Sequence, residues 1–164
     1  MDLDIDIEGW PAGDWADLAF SVLEATQAVT PELANERLTA SLLFTCDDEV
    51  QALNREWRGK DKPTNVLSFP MLARDELLLL APDGPPEMLG DLVLAYQTCA
   101  HEAADKGVRL EHHAAHLLVH GFLHLAGYDH ETGEVDAAAM EALEIKALAQ
   151  LGIADPYGDR DQQE

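Results

Sequence analysis

Positive charge is scarce in this sequence. Ten lysines and arginines face 32 acids across 164 residues, a formal net charge of −22 with histidine neutral. That balance excludes general electrostatic attraction to nucleic acid or anionic lipid, so a phosphate-bearing substrate must be drawn by a local patch. Cysteine is nearly absent. Cys46 and Cys99 stand far apart and outside any CxxC pattern, which excludes a disulfide framework and leaves each to be read as a buried, reduced thiol. Long apolar runs are missing too: the densest, Leu77 to Ala81, is far too short to span a bilayer. The opening Met1-Asp-Leu-Asp-Ile-Asp-Ile-Glu8 carries alternating acids, where a signal peptide needs a basic and then an apolar stretch. These absences predict a cytoplasmic protein without membrane partners. With no repeats and no linker, the chain is expected to form one domain over 1–164, with a flexible tail from about 153 to 164.

What is present falls into periodic segments. Leu3, Ile5 and Ile7 alternate with acids as in a half-buried strand, and Trp15, Leu18, Ala19, Val22 and Leu23 recur at helical spacing. Residues 37–46 predict a second strand, and Asp47 or Asp48 is expected to cap a short helix reaching Trp57. Gly59 to Thr64 form a polar loop and Val66 to Phe69 a third strand. A Pro/Gly-containing loop, Pro82 to Pro86, leads to a fourth strand at Leu89 to Ala95. Helices are expected over about 97–106, stopping at Gly107, then from Arg109 to Ala126, and from Gly133 to Leu151 before Gly152. Strands fill the first half and helices the second. The order predicts an α+β domain with a small mixed four-stranded sheet packed against helices.

The chemistry concentrates in His120-Gly-Phe-Leu-His124-Leu-Ala-Gly127-Tyr-Asp-His130. On a helix, His120 and His124 project from nearly one face, about 6 Å apart along the axis. His130 would point roughly 120° away from His124 on a straight helix, but Gly127 can end the helix and turn the chain back. Three neutral imidazoles at His120, His124 and His130 suit one Zn²⁺ with an open fourth position, the composition of a catalytic site. Neither cysteine is near enough to close a structural one. His116, one turn before His120, is assigned to packing or to a hydrogen bond behind the ligands. His112 and His113 are expected to be solvated, and His101 has no partner at ligand spacing.

The local basic patch exists. Arg55, Arg58, Lys60 and Lys62, four of the ten basic residues, occupy eight positions. Thr64 and Ser68 follow as candidate substrate contacts. A guanidinium suits a phosphodiester or its charged transition state, whereas the sequence offers no obvious general base beyond Asp129.

The histidine spacing matches the metzincin peptidase pattern HExxHxxGxxH, with one departure. Gly121 stands where the peptidases carry the Glu that takes a proton from the attacking water. With that departure the segment resembles the signature of the YbeY family, bacterial rRNA maturation factors regarded as zinc-dependent endoribonucleases. The run from Asn54 through Arg58, Asp61, Pro63, Thr64, Asn65 and Ser68 to Pro70 resembles that family's second signature. Gly90-Asp91-Leu-Val-Leu resembles its third. Together the blocks cover roughly residues 50–130.

The resemblance implies an α+β single domain, the three histidines as zinc ligands and Arg58 as an important residue of the cleft. It also implies maturation of the 16S rRNA 3′ end and ribosome quality control. Expected partners are rRNA, the small ribosomal subunit and a ribosomal protein or assembly GTPase, and not DNA. The sequence therefore predicts a single-strand-specific zinc endoribonuclease. The alternatives are a non-catalytic assembly factor with a structural zinc and, against Gly121, a metallopeptidase.

Overall fold

The alternating N-terminal segments pair into one sheet. The structure, a computed structural model, describes residues 1–129 and 133–157. Strand β1 (Asp2–Ile7) is followed by helix α1 (Trp15–Val29), and β2 (Leu38–Thr45) by α2 (Asp47–Arg58). Next come β3 (Val66–Pro70), the short α3 (Arg74–Leu78) and β4 (Glu87–Ala95). Three helices follow: α4 (Tyr96–Lys106), α5 (Leu110–Leu125) and α6 (Glu134–Gln150). The sheet order is β1-β2-β4-β3; β1 and β4 both run parallel to β2, and β3 is antiparallel to β4. This is the α+β single domain with a mixed four-stranded sheet that the sequence predicts.

Side-chain alternation divides the core in two. Leu42, Phe44, Leu92 and Leu94 face the main cluster, which α1, α5 and α6 complete. Val93 and Leu67, a cross-strand pair, face a smaller cluster that Val50 of α2 covers from the other side. Helix α5 is buried on nearly all sides, touching α1, α4, α6, β3 and β4. A helix so apolar has no place at a surface. Its burial fixes the histidines of its second half against the sheet.

The structure corrects several expectations. Neither α3 nor the 3₁₀ turn Pro31–Ala34 was visible in the periodicity, since four or five residues are too few to display a helical period. Asp47 does not cap α2: Cys46 holds that position without a side-chain bond, and Asp47 lies in the first turn. Its carboxylate instead accepts from Thr98 N (3.0 Å) and Thr98 Oγ1 (2.8 Å), serving the first turn of α4. Cys99 is buried, and desolvation with the nearby Glu102 and Asp47 charges pushes its thiol far above the ordinary range. Cys46 is only half-buried; both cysteines are free. His130 and residues 158–164 of the expected tail lie outside the described residues.

Candidate metal centre and cleft

Helix α5 carries two of the three candidate ligands. His120 and His124 sit one turn apart, and their Nε2 atoms approach to 3.1 Å with the rings nearly perpendicular. Two ligands on one tetrahedral Zn²⁺ at about 2.05 Å would stand about 3.3 Å apart. The pair therefore already has the separation one ion requires. Among the described residues no set of three His, Cys, Asp or Glu side chains forms such a cluster; the expected third ligand, His130, is not among them. The two imidazoles present fit a zinc ion by spacing and donor chemistry.

Behind this pair stands a residue that sequence reasoning missed. Glu144 of α6 is 1% exposed. Its Oε1 accepts from His116 Nε2 (2.7 Å) and Tyr157 Oη (3.0 Å), and lies 3.4 Å from His120 Nδ1. Burial alone would raise its pKa, but hydrogen bonds from His116 and His120, and their charge, bring it down to about 2. An ionised Glu144 draws the proton of His120 to Nδ1, leaving Nε2 as a lone-pair donor. The sequence did hold a signal: Glu144 shares the buried face of α6 with Met140, Ala147 and Leu148, where an acid needs a partner. His116 fills the role assigned to it.

The turn after α5 is built as the glycine implies. Gly127 has φ +97°, Gly127 N donates to His124 O and Tyr128 N to Leu123 O, which closes the helix. Arg74 clamps this turn from α3. Its Nη1 donates to Ala126 O at 2.7 Å, its Nη2 reaches Glu32 at 3.0 Å, and its guanidinium lies 4.3 Å from the Tyr128 ring centre.

Gly121 is explained by contact. A Cβ there would stand 2.8 Å from Cδ2 of Leu92, itself buried on β4. The helix rests on the sheet at the position where the peptidases carry their glutamate.

A cleft of about 850 Å³ opens from the histidine pair. Arg58, Lys60 and Lys62 line it, with Thr64, Ser68 and Asp129. Arg55 does not; it is exposed and its guanidinium reaches Asp61 at 3.5 Å. Among the described residues Arg58 forms no ion pair, although the chain holds 32 acids.

One expectation fails in the cleft. His113 is not solvated but 3% exposed, with Nε2 2.8 Å from Glu102 Oε1. Asn65 Nδ2 also donates to that carboxylate, at 3.0 Å. Burial first, with the Lys106 and His116 charges, lowers the His113 pKa against the pull of Glu102. His101 lies on the exposed side of α4, 3.3 Å from Asp105.

The family model described as Endoribonuclease YbeY matches residues 8–152. This chain belongs to the endoribonuclease YbeY family. Relatives carrying that name include one from Erythrobacter litoralis, 62% identical over 98% of this chain and 99% of its own. Another, from Novosphingobium aromaticivorans, is 59% identical over 98% and 97%. A Rhodopseudomonas palustris family member is 50% identical over 93% and 89%. The fold is similar to the solution structure of TM1509 from Thermotoga maritima, with a TM-score of 0.58 at 24% identity over 98% of this chain and 93% of that one. Among the described residues, no helix is long and apolar enough to cross a membrane.

Proposed function

We propose that this YbeY family member is a zinc-dependent, single-strand-specific endoribonuclease of the cytoplasm, acting in 16S rRNA 3′-end maturation and ribosome quality control. The observation that carries the reading is one cleft uniting a convergent histidine pair with Arg58, Lys60 and Lys62 in a chain of net charge −22. His120, His124 and His130 would hold the ion. Bound Zn²⁺ would supply a Lewis acid for a phosphoryl oxygen and activate water. Arg58 grips the phosphate and its developing charge with a two-pronged contact. Glu144 holds the proton of His120 on Nδ1, away from the ligand atom. Lys60 and Lys62 draw the strand into the cleft, and Thr64 and Ser68 offer it hydroxyls. Asp129 is the candidate to take a proton there, since it lines the same cleft.

With so little positive charge elsewhere, free RNA binds weakly. The small ribosomal subunit, with a ribosomal protein or assembly GTPase, supplies the remaining positioning. The test is RNA cleavage by metal-depleted, zinc-reloaded and His124→Ala protein side by side. Cleavage confined to the reloaded wild type supports the reading; equal cleavage by all three ends it.

A scaffold reading is favoured by one observation, the Glu144 link that ties the histidine helix to α6. On that reading zinc only fastens the helices. Equal rRNA maturation in cells by wild type and a folded His120→Ala variant would select it.

A further inference from the structure

Trp57 of α2 belongs neither to the core nor to the lining of the cleft. It is 68% exposed, whereas the other two tryptophans, Trp10 and Trp15, are buried at 8% and 3%. A single exposed apolar side chain is ordinary; its neighbours decide what this one means. Arg55, Arg58, Lys60 and Lys62 flank it, four of the ten basic residues in a chain of net charge −22. Among the described residues its indole makes no ring or cation–π contact. Val50, Leu53 and Trp57 recur at helical spacing and share one face of α2. Val50 and Leu53 belong there to the smaller core cluster, against which Phe69 also packs. Phe69 lines the cleft as well, as does Arg58. Trp57 lies one turn past Leu53, about 6 Å further along the axis, where nothing covers the stripe. Its indole therefore stands at the rim of the cleft.

We propose that Trp57 is a stacking platform for an unpaired base, carried by a nucleotide next to the phosphate that Arg58 holds. The inference rests on the reading of Arg58 as the phosphate grip. A flat apolar face among cations fits a single strand of nucleic acid, which brings π-faces and an anionic backbone together. Consecutive helix residues diverge by about 100°. A phosphate on Arg58 can thus lie in the cleft while a neighbouring base turns out onto the rim. In a duplex the faces of the bases are already covered by their neighbours, so the platform selects unpaired strand. It does so without reading sequence, because every base has a π-face.

The experiment compares a short, unstructured oligoribonucleotide with copies carrying one abasic site at each position in turn. Full-length wild type, Trp57→Phe and Trp57→Leu are used. Affinity is read by anisotropy of a labelled strand, strand integrity on a gel, and exposure of the indole by acrylamide quenching of tryptophan fluorescence. With Trp10 and Trp15 buried, that quenching reports on Trp57. In the wild type the intact strand should shield the indole. One abasic position should weaken binding roughly fivefold or more, the lower end of what one stacked base contributes. Trp57→Leu, which keeps apolar bulk but no ring, should weaken the intact strand by a similar factor and the abasic copy no further. Trp57→Phe should fall between. An indole still open to acrylamide with RNA bound overturns the proposal and leaves the ring to a protein partner. A wild type with no sensitive abasic position also overturns it, and neither result needs a variant to fold. So does an abasic penalty that persists in Trp57→Leu, or binding to no strand at all. Cleavage by zinc-loaded wild type, assayed in parallel, separates the two readings: RNA cleaved with the indole unshielded sinks this inference alone. Shielding and an abasic penalty without cleavage keep it and remove the nuclease.

Discussion

Glu144 Oε1 lies 2.7 Å from His116 Nε2 and 3.4 Å from His120 Nδ1, so one buried carboxylate on α6 orients two imidazoles of α5. Replacing it by Glu144→Gln keeps the shape but removes the charge that draws the proton to His120 Nδ1. The amide can also turn its NH₂ toward the ring and favour the wrong tautomer. Zinc affinity should fall about 10–100-fold, as for other partners of metal-bound histidines. Competition against a chromophoric chelator measures it. Unchanged zinc affinity in a folded Glu144→Gln protein would mean that this carboxylate serves packing alone.

Gly121 and Leu92 make the second prediction. Gly121→Glu would complete the peptidase spacing, yet a side chain there begins 2.8 Å from Leu92 Cδ2. Overpacking of this kind costs about 1–3 kcal/mol, partly offset by the better helix propensity of Glu. The melting temperature should drop, and no cleavage of unstructured peptides should appear. A stable variant that gained peptidase activity would show the site free to accept the glutamate.

His113 gives the fold a pH dependence. Its folded pKa lies below the ordinary histidine value because burial disfavours the charged ring, and Lys106 and His116 add to this while Glu102 opposes it. The unfolded chain therefore takes up the proton first. Stability from this residue is complete above about pH 6.5 and is lost as the pH falls below it toward the depressed value. The denaturant midpoint of the wild type should decline over that range, and His113→Gln should flatten the decline. Equal slopes for the two proteins would remove His113 as a source.

The elements that the sequence made legible are those whose evidence is local. The periods behind β2 and α5 lie within single segments, and the four-residue step from His120 to His124 needs only a helix to bring the rings together. Gly127 announced its turn because few other residues accept φ +97°. What escaped was non-local. Glu144 reaches His120 from a helix that begins beyond the turn, and His113 is met by Glu102 of α4, a carboxylate that Asn65, just before β3, also holds. The sequence marks Asp47 or Asp48 as the cap of α2, but the helix that the Asp47 carboxylate serves is α4, about fifty residues later in the chain. No window of sequence displays such pairings.

Arg58 supplies the last prediction. It is exposed, lines the cleft and forms no ion pair among the described residues, whereas neighbouring Arg55 is taken by Asp61. A guanidinium left unpaired in an acidic chain is available to an anion from outside, and only Arg58 of the two faces the histidines' cleft. Arg58→Ala removes no core contact, so the melting temperature and zinc content should stay near wild type. Loss of a contact that strengthens as charge develops should lower the rate of RNA cleavage about 10²–10³-fold. Arg58→Lys should recover only part, because an ammonium keeps the charge but not the planar fork. Arg55→Ala, mutated in parallel, should change the rate far less. Single-turnover cleavage of an rRNA fragment by the four proteins gives the comparison. If Arg55→Ala and Arg58→Ala lose activity equally, the basic loop acts by net charge, and the two-pronged grip on a phosphate is wrong.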